Sequence, residues 1–308
     1  MVDGLLLIDK HAGPTSHDFV NMLRRMLGQK RVGHAGTLDP AATGLLVLLL
    51  GKATRLAPWL QATEKVYEGT IRLGRATTTF DAHGEATEDK PGDVDEERLK
   101  AAALALVGEI SQVPPAYSAV KVDGTPAYVT ARKGGQVELK ARRVVINELQ
   151  VQKIESGDYP LVSFKVACSS GTFIRSLAVD FGNKLGCPAH LSDLRRLRAG
   201  KFSVAQALPV EDFSNLDEEG RRQRIISMRA AIEAAEVCPP VDRLPAVRDG
   251  VEFTASADQS LGLNDDRETI VKIIDPRTGD LFGLGKVKGI LVDSGEVVVK
   301  PFLVLASE

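Results

Sequence analysis

Cysteine is scarce: the 308-residue chain has three, Cys168, Cys187 and Cys238, and no Cys-x-x-Cys pair. An odd number at such spacing excludes a disulfide framework and makes a reducing cytoplasm the expected location. Cys187 and His190 are spaced like metal ligands but lack a second pair, so no metal is expected. Long apolar runs are missing too. Leu5 to Ile8 is too short for a signal-peptide core, and nothing approaches the roughly 20 residues of a membrane helix. No targeting segment and no membrane association are therefore expected.

The familiar cofactor and hydrolase motifs are also absent. Gly44 and Gly51-Lys52 stand six residues apart where a P-loop needs four, and Ala53 replaces the hydroxyl residue after the lysine. Gly283, Gly285 and Gly289 miss the dinucleotide fingerprint by one residue. There is no Gly-x-Ser-x-Gly. A cofactor-free carboxylate enzyme remains.

An overall basic excess is lacking as well, since the formal net charge is −2. Its distribution is uneven. Residues 1–60 carry a net +3 and residues 165–202 a net +5, whereas residues 245–308 carry a net −4. A phosphate-binding face needs only a local excess, and the positive stretches coincide with the motifs below. With 44% hydrophobic and 26% charged residues, the chain has an ordinary globular composition, at a length that suits two domains.

The most informative segment is Gly33-His-Ala-Gly-Thr-Leu-Asp39-Pro-Ala-Ala-Thr-Gly44, followed by the apolar run Leu45 to Leu50. Glycines allow close backbone approach, Pro40 stiffens the turn, and the apolar run anchors the loop to a buried sheet. This pattern presents a lone carboxylate on a rigid platform.

The segment resembles the catalytic motif of the TruB-type tRNA pseudouridine synthases. Three further segments resemble that family in the same order: Lys10 with Gly13 and Ser16, Lys65-Val-Tyr67-Glu-Gly, and Gly171-Thr-Phe173-Ile-Arg175. His11 stands where proline is usual, and Phe173 where tyrosine is common. The resemblance implies conversion of the T-loop uridine of tRNA (position 55) to pseudouridine, without cofactor or metal. Asp39 is then the nucleophile, Arg175 its ion-pair partner and Tyr67 the stacking or proton-relay residue. Leu194 walls the pocket, and His34, Lys10, Asp81 and Phe173 serve substrate binding.

The exchange breaks the N1–C1′ bond, turns the uracil and rejoins it through C5. It needs a carboxylate that attacks the ribose or the base, or helps remove a ribose proton. A guanidinium beside that carboxylate favours its ionised form. The target uridine must also leave its stack. The resemblance further implies a monomer that meets the T-arm stem-loop without a protein partner. The segment at 75–116, similar to the bacterial thumb-like insertion, argues for stand-alone work over action inside a guide-RNA complex. A role mainly in RNA folding is the rival from another class.

The expected fold is α+β: a pseudouridine synthase core (1–238) with a central mixed, mainly antiparallel sheet, then a small PUA-like β-barrel (239–308). Strands are expected at Leu5–Ile8, 44–50, 65–73, 117–123, 143–152 and 160–168. Helices are expected from Ser16 to Leu27, near 96–107, from Thr172 to Leu185, near 190–198 and within 211–236. An acidic loop at 81–97 and a proline-rich linker at 238–245 separate elements, and short strands at 269–274, 280–284, 289–292 and 296–305 form the barrel.

Overall fold

Leu5 to Ile8 and Leu45 to Leu50 are apolar at every position because the strands that hold them are covered on both faces. The computed structural model describes residues 2–91, 95–256, 269–291 and 296–305. The chain opens with strand β1 (Gly4–Lys10), helix α1 (Ser16–Met26) and strands β2 (Val32–His34) and β3 (Thr43–Leu50). A short helix, α2 (Ala57–Gln61), leads into β4 (Lys65–Leu73), the hairpin β5 (Arg75–Thr77) and β6 (Ala86–Asp89), helix α3 (Glu96–Leu104) and β7 (Gly108–Gln112). A small hairpin of β8 (Lys121–Val122) and β9 (Thr125–Pro126) and helix α4 (Ala127–Arg132) precede β10 (Arg142–Glu155) and β11 (Leu161–Cys168). Helix α5 (Ile174–Leu185), β12 (Ala189–Ala199) and β13 (Phe202–Ser203) complete the core.

Nine of these strands form one sheet, in the order β1-β3-β12-β4-β11-β10-β7, with β2 on β3 and β13 on β12. Every pairing is antiparallel except β12 with β3, so the sheet is mixed and mainly antiparallel as expected. Leu6, Ile8, Leu46 and Leu48 pack with α1 and α5 on one face, while Leu5, Leu7, Leu45 and Val47 meet α2 and the second sheet on the other.

Helices α6 (Val210–Asn215), α7 (Glu218–Gln223) and α8 (Met228–Ala231) lead to that second sheet. Its strands are β14 (Ala235–Val237), β15 (Phe253–Ser256), β16 (Ile270–Ile274), β17 (Leu281–Ile290) and β18 (Glu296–Val304), with helix α9 (Leu244–Arg248) between the first two. The order β14-β16-β17-β18-β15 gives an open, curled half-barrel of the PUA-like kind. Leu281, Leu284 and Leu305 join the core beneath β1 and β3, and Trp59 of α2 stacks on Phe302 of β18 at 5.2 Å.

Several expectations change. The segment at 190–198 is strand β12, not a helix. It lies inside the sheet between β3 and β4, and its register against β4 skips Ser192 and Leu197. Two such bulges break the alternation that would mark a strand, and they leave leucines three residues apart. The stretch 211–236 breaks into three short helices and β14, which precedes the expected division after residue 238. The segment 238–245 carries a tight turn and α9, whose Leu244 and Val247 are buried in the second sheet's core. Strands 280–284 and 289–292 are one strand, β17, with residue 292 outside the described residues. The acidic loop at 81–97 contains β6, and its residues 92–94 lie outside the described residues. Residues 117–123 contribute only the two-residue β8. Helix α1 is capped by Thr15, through a capping box with Asp18, and not by Ser16. Helix α5 starts at Ile174, two residues late.

One glycine of the motif is required sterically. Gly44 has φ +95, and a Cβ there would sit 2.3 Å from the Arg196 carbonyl oxygen and 2.8 Å from its nitrogen. Gly44→Ala is expected to cost about 3 kcal/mol or more of folding stability, read as a fall in the urea midpoint. An unchanged midpoint would show that β3 and β12 can separate locally.

Candidate active site

Asp39 sits in the loop between β2 and β3, at a cleft of about 700 Å3 that Tyr67, Phe173, Arg175 and Leu194 also line. The loop is pinned from below at several points. Ser16, the first residue of α1, donates its hydroxyl to the Leu38 carbonyl at 2.9 Å and accepts from the Leu38 N–H at 2.8 Å. The Gly13 N–H donates to the Pro40 carbonyl at 2.9 Å. Lys10 ends β1 beneath the loop and donates to the carbonyls of His11, Pro40 and Ala42 at 3.0, 2.9 and 2.7 Å.

Lys10 therefore departs from its expected RNA-side role. Its residue surface is fully buried, and all three ammonium donors are spent on carbonyls. Burial lowers its pKa to about 8, against the pull of the Asp39 charge. The motif around Lys10, Gly13 and Ser16 is a cradle for the Asp39 loop.

Arg175 comes from the first turn of α5 and is only 8% exposed, while the Asp39 carboxylate is 43% open to the cleft. Its Nε lies 2.9 Å from one Asp39 oxygen and its Nη2 lies 3.3 Å from the other, a two-pronged pairing. Nη2 also donates to the Tyr117 carbonyl at 2.9 Å, and Nη1 to the Thr79 carbonyl at 3.1 Å. Asp81 stands behind the guanidinium, 3.5 Å from Nη1. The other Asp81 oxygen accepts from the Thr79 hydroxyl at 2.6 Å and the His83 N–H at 3.0 Å. Asp81, expected on the RNA-facing loop, is turned inward and steadies Arg175.

The electrostatics differ from the simple pairing argument. Burial raises the Asp39 pKa above the usual carboxylate value; Arg175 and Lys10 oppose this, and the Asp81 charge adds to it. Although open to the cleft, the carboxylate is surrounded by enough protein to lose much of its hydration. Tyr67, on β4, is buried, and burial likewise raises its pKa, so the phenol keeps its proton at neutral pH.

Leu194 and Phe173 form apolar parts of the wall, and the Phe173 N–H is held by the Gln112 side chain at 2.8 Å. His34, at the end of β2, is half-buried and lies outside the cleft lining. Burial lowers its pKa, with Arg196 as the next cause, so the ring is neutral and suited to stacking. Among the described residues, no group of three or more His, Cys, Asp or Glu is placed to hold a metal ion. Sequence reasoning missed two cleft residues, Arg196 and Lys65, both buried. Arg196 lies in a segment whose bulges hide the strand, and Lys65 is the first residue of β4, so neither stood out in the sequence.

The TruB family pseudouridylate synthase N-terminal domain matches residues 24–174, and the tRNA pseudouridylate synthase B C-terminal domain matches residues 175–238. A tRNA pseudouridine synthase B of Thermobifida fusca is 51% identical over 252 residues, which is 80% of this chain and 83% of that protein. Its counterpart in Solibacter usitatus is 41% identical over 289 residues, 93% of this chain and 96% of that protein. Among solved structures, a chain of a Cbf5-Nop10-Gar1 complex superposes with a TM-score of 0.73 at 28% identity, over 98% of this chain and 85% of that one. A chain of an H/ACA RNP bound to a substrate RNA containing 2'-deoxyuridine gives 0.72 at 25% identity, over 99% and 85%. The chain belongs to the TruB family of pseudouridylate synthases.

Proposed function

We propose that this chain isomerises the T-loop uridine of tRNA (position 55) to pseudouridine, with Asp39 as its nucleophile and with no cofactor. The observation that carries the reading is the Asp39 carboxylate, held on two oxygens by Arg175 at a cleft with Tyr67 in its wall. The cleft has the size of an ordinary small-molecule pocket, so an extruded nucleotide fits where a paired one does not reach.

The reaction balances without redox agent or phosphate energy. The N1–C1′ bond breaks, C1′ joins C5, the C5 proton leaves, and N1 gains a proton. Asp39 supplies the carboxylate that attacks ribose or base, or helps remove a ribose proton. Arg175 fixes its direction, while Tyr67, Phe173 and Leu194 hold the ring during its turn. Lys10 and Asp81 act through the groups they support. The proposed arrangement is a catalytic unit followed by a C-terminal RNA-side unit that begins with β14 (Ala235–Val237) rather than after residue 238, working as a monomer. Curated relatives that match nearly their whole length to this chain bear the name tRNA pseudouridine synthase B, which supports tRNA as the substrate.

Tritium release from a 5-³H-uridine-labelled, unmodified tRNA transcript tests the reading, because C5 loses its hydrogen only on becoming the glycosidic carbon. Purified chain alone is expected to release about one tritium per tRNA, and none when the T-loop uridine is replaced by cytidine. Tight binding without release would overturn the enzymatic reading.

A further inference from the structure

We propose that the face formed by the end of α1, the strand β2 and the tight turn Gly51–Leu56 binds the phosphate backbone of the bound tRNA. The inference rests on the isomerase reading above and names a docking surface, beside the cleft, for its substrate.

The sequence is one-sided here. Residues 19–63 hold six Lys or Arg and a single acid, Asp39, although acids outnumber bases in the chain as a whole. Asp39 is taken up at the cleft by Arg175. Five of the cations, Arg24, Arg25, Lys30, Arg31 and Arg55, are left without an ion pair among the described residues. Exposed cations elsewhere do find acids, as Arg75 finds Asp89, Lys153 finds Glu155 and Arg222 finds Glu218. Uncompensated like charges repel one another, and a polyanion laid across them relieves that repulsion.

Hydrogen bonds join these side chains into one face without neutralising them. Arg24 donates from Nη1 to the Asn21 side chain at 3.1 Å and from Nη2 to the Val32 carbonyl at 3.0 Å, which ties α1 to β2. Arg31, just before β2, donates from Nε to the Thr54 hydroxyl at 3.0 Å, and Arg55 reaches the Val304 carbonyl of β18. Neutral acceptors hold each guanidinium in place and leave its charge and several N–H groups free, which suits a phosphate fork. Arg25 and Lys30 are exposed, and their side chains donate to nothing among the described residues. The face adjoins the cleft. Strand β2 pairs with β3 alone and ends at His34, whose carbonyl accepts from Gln61 of the cleft lining at 3.5 Å. Val32 stands opposite Leu50, whereas the Asp39 loop re-enters β3 at Thr43, so the far end of the face lies roughly 20 Å along the strand from that loop. A nucleic-acid strand carries a phosphate every few ångströms, and several fall within that span when a uridine occupies the cleft. Residues 245–308 carry a net −4, so the charge that docks the RNA sits on the core.

The test measures dissociation constants over a range of KCl concentrations, and kcat and KM by tritium release, for the Arg25→Gln/Lys30→Gln double variant. The control is Lys153→Gln/Arg222→Gln, which removes the same charge from ion-paired sites. Both are run on an unmodified tRNA transcript and on a T-arm stem-loop. Arg25→Gln/Lys30→Gln is expected to raise the dissociation constant and KM about tenfold, with kcat within about twofold, because no cleft residue changes. The slope of log affinity against log salt is expected to fall by about one for each cation removed, and the control should move neither quantity more than about twofold. The melting temperature should hold, since neither side chain has a partner to lose. Loss on both substrates assigns the phosphates to the T-arm, and loss on tRNA alone assigns them to the rest of the molecule. An unchanged slope and KM on both substrates, or an equal fall in the control, would overturn the proposal. If wild type binds tRNA without releasing tritium, the isomerase reading fails while the dissociation constants still decide the face, so the two failures are distinct.

Discussion

Asp39→Asn is expected to abolish tritium release from tRNA, by on the order of ten-thousandfold or more, as loss of a nucleophile does elsewhere. Asparagine keeps the shape and one carbonyl oxygen for Arg175 but has no carboxylate with which to attack. Tight tRNA binding should survive, with a dissociation constant within about tenfold, because the phosphate-facing surface is untouched. Folding should survive too, for a reason of sign. Burial raises the Asp39 pKa, so ionising it opposes folding; that opposition is absent below the unfolded value and present once the pH exceeds the folded one. At neutral pH the neutral asparagine avoids it, and the melting temperature should not fall. In the wild type the same shift places the acid limb of kcat at a higher pH than a free aspartate would, since protonation removes the nucleophile as pH falls. Measurable product from purified Asp39→Asn would overturn the nucleophile assignment. An acid limb at or below the free-aspartate range would overturn the electrostatic account.

What the sequence conveyed follows from which forces are local. Strands β1, β3 and β4 are legible because their burial is written in their own residues: unbroken apolar runs for the doubly covered pair, alternation for Lys65–Leu73. The Asp39 loop is legible because Gly44 and Pro40 impose a backbone that few other sequences tolerate. Strand β12 is not, because its state is set by β3 and β4, which bracket it from more than a hundred residues away. Lys10 is a related case. A cation in a motif looks like an RNA contact until the fold shows that carbonyls of a distant loop consume its donors. Asp81 is the reverse case: an acid in a polar loop turns inward because β5 and α5 bring Thr79 and Arg175 together. The segment 238–245 reads as a linker from its prolines, yet Leu244 and Val247 bury against strands that lie later in the chain.

Arg175→Lys is expected to lower kcat by about a hundred- to a thousandfold, the range seen when a preorganised donor is removed from an active site. The argument is geometric. Arg175 meets both Asp39 oxygens, the Thr79 and Tyr117 carbonyls and Asp81 from one rigid plane. An ammonium offers three donors from a single point and cannot reach acceptors spread around that plane, so at least one carbonyl or carboxylate loses its partner. The tRNA KM should stay within about threefold, because Arg175 lies behind the carboxylate and not on the RNA side. The acid limb should also move. Arg175 is the strongest influence holding the Asp39 pKa down against burial, so a looser pairing lets it rise, and kcat falls off at a higher pH than in the wild type. That shift separates loss of the ion pair from general loosening of α5, which would lower the melting temperature without moving the limb. Wild-type kcat in Arg175→Lys would overturn the ion-pair role, and a lowered kcat with an unmoved limb would leave Arg175 as an anchor for Thr79 and Tyr117 alone.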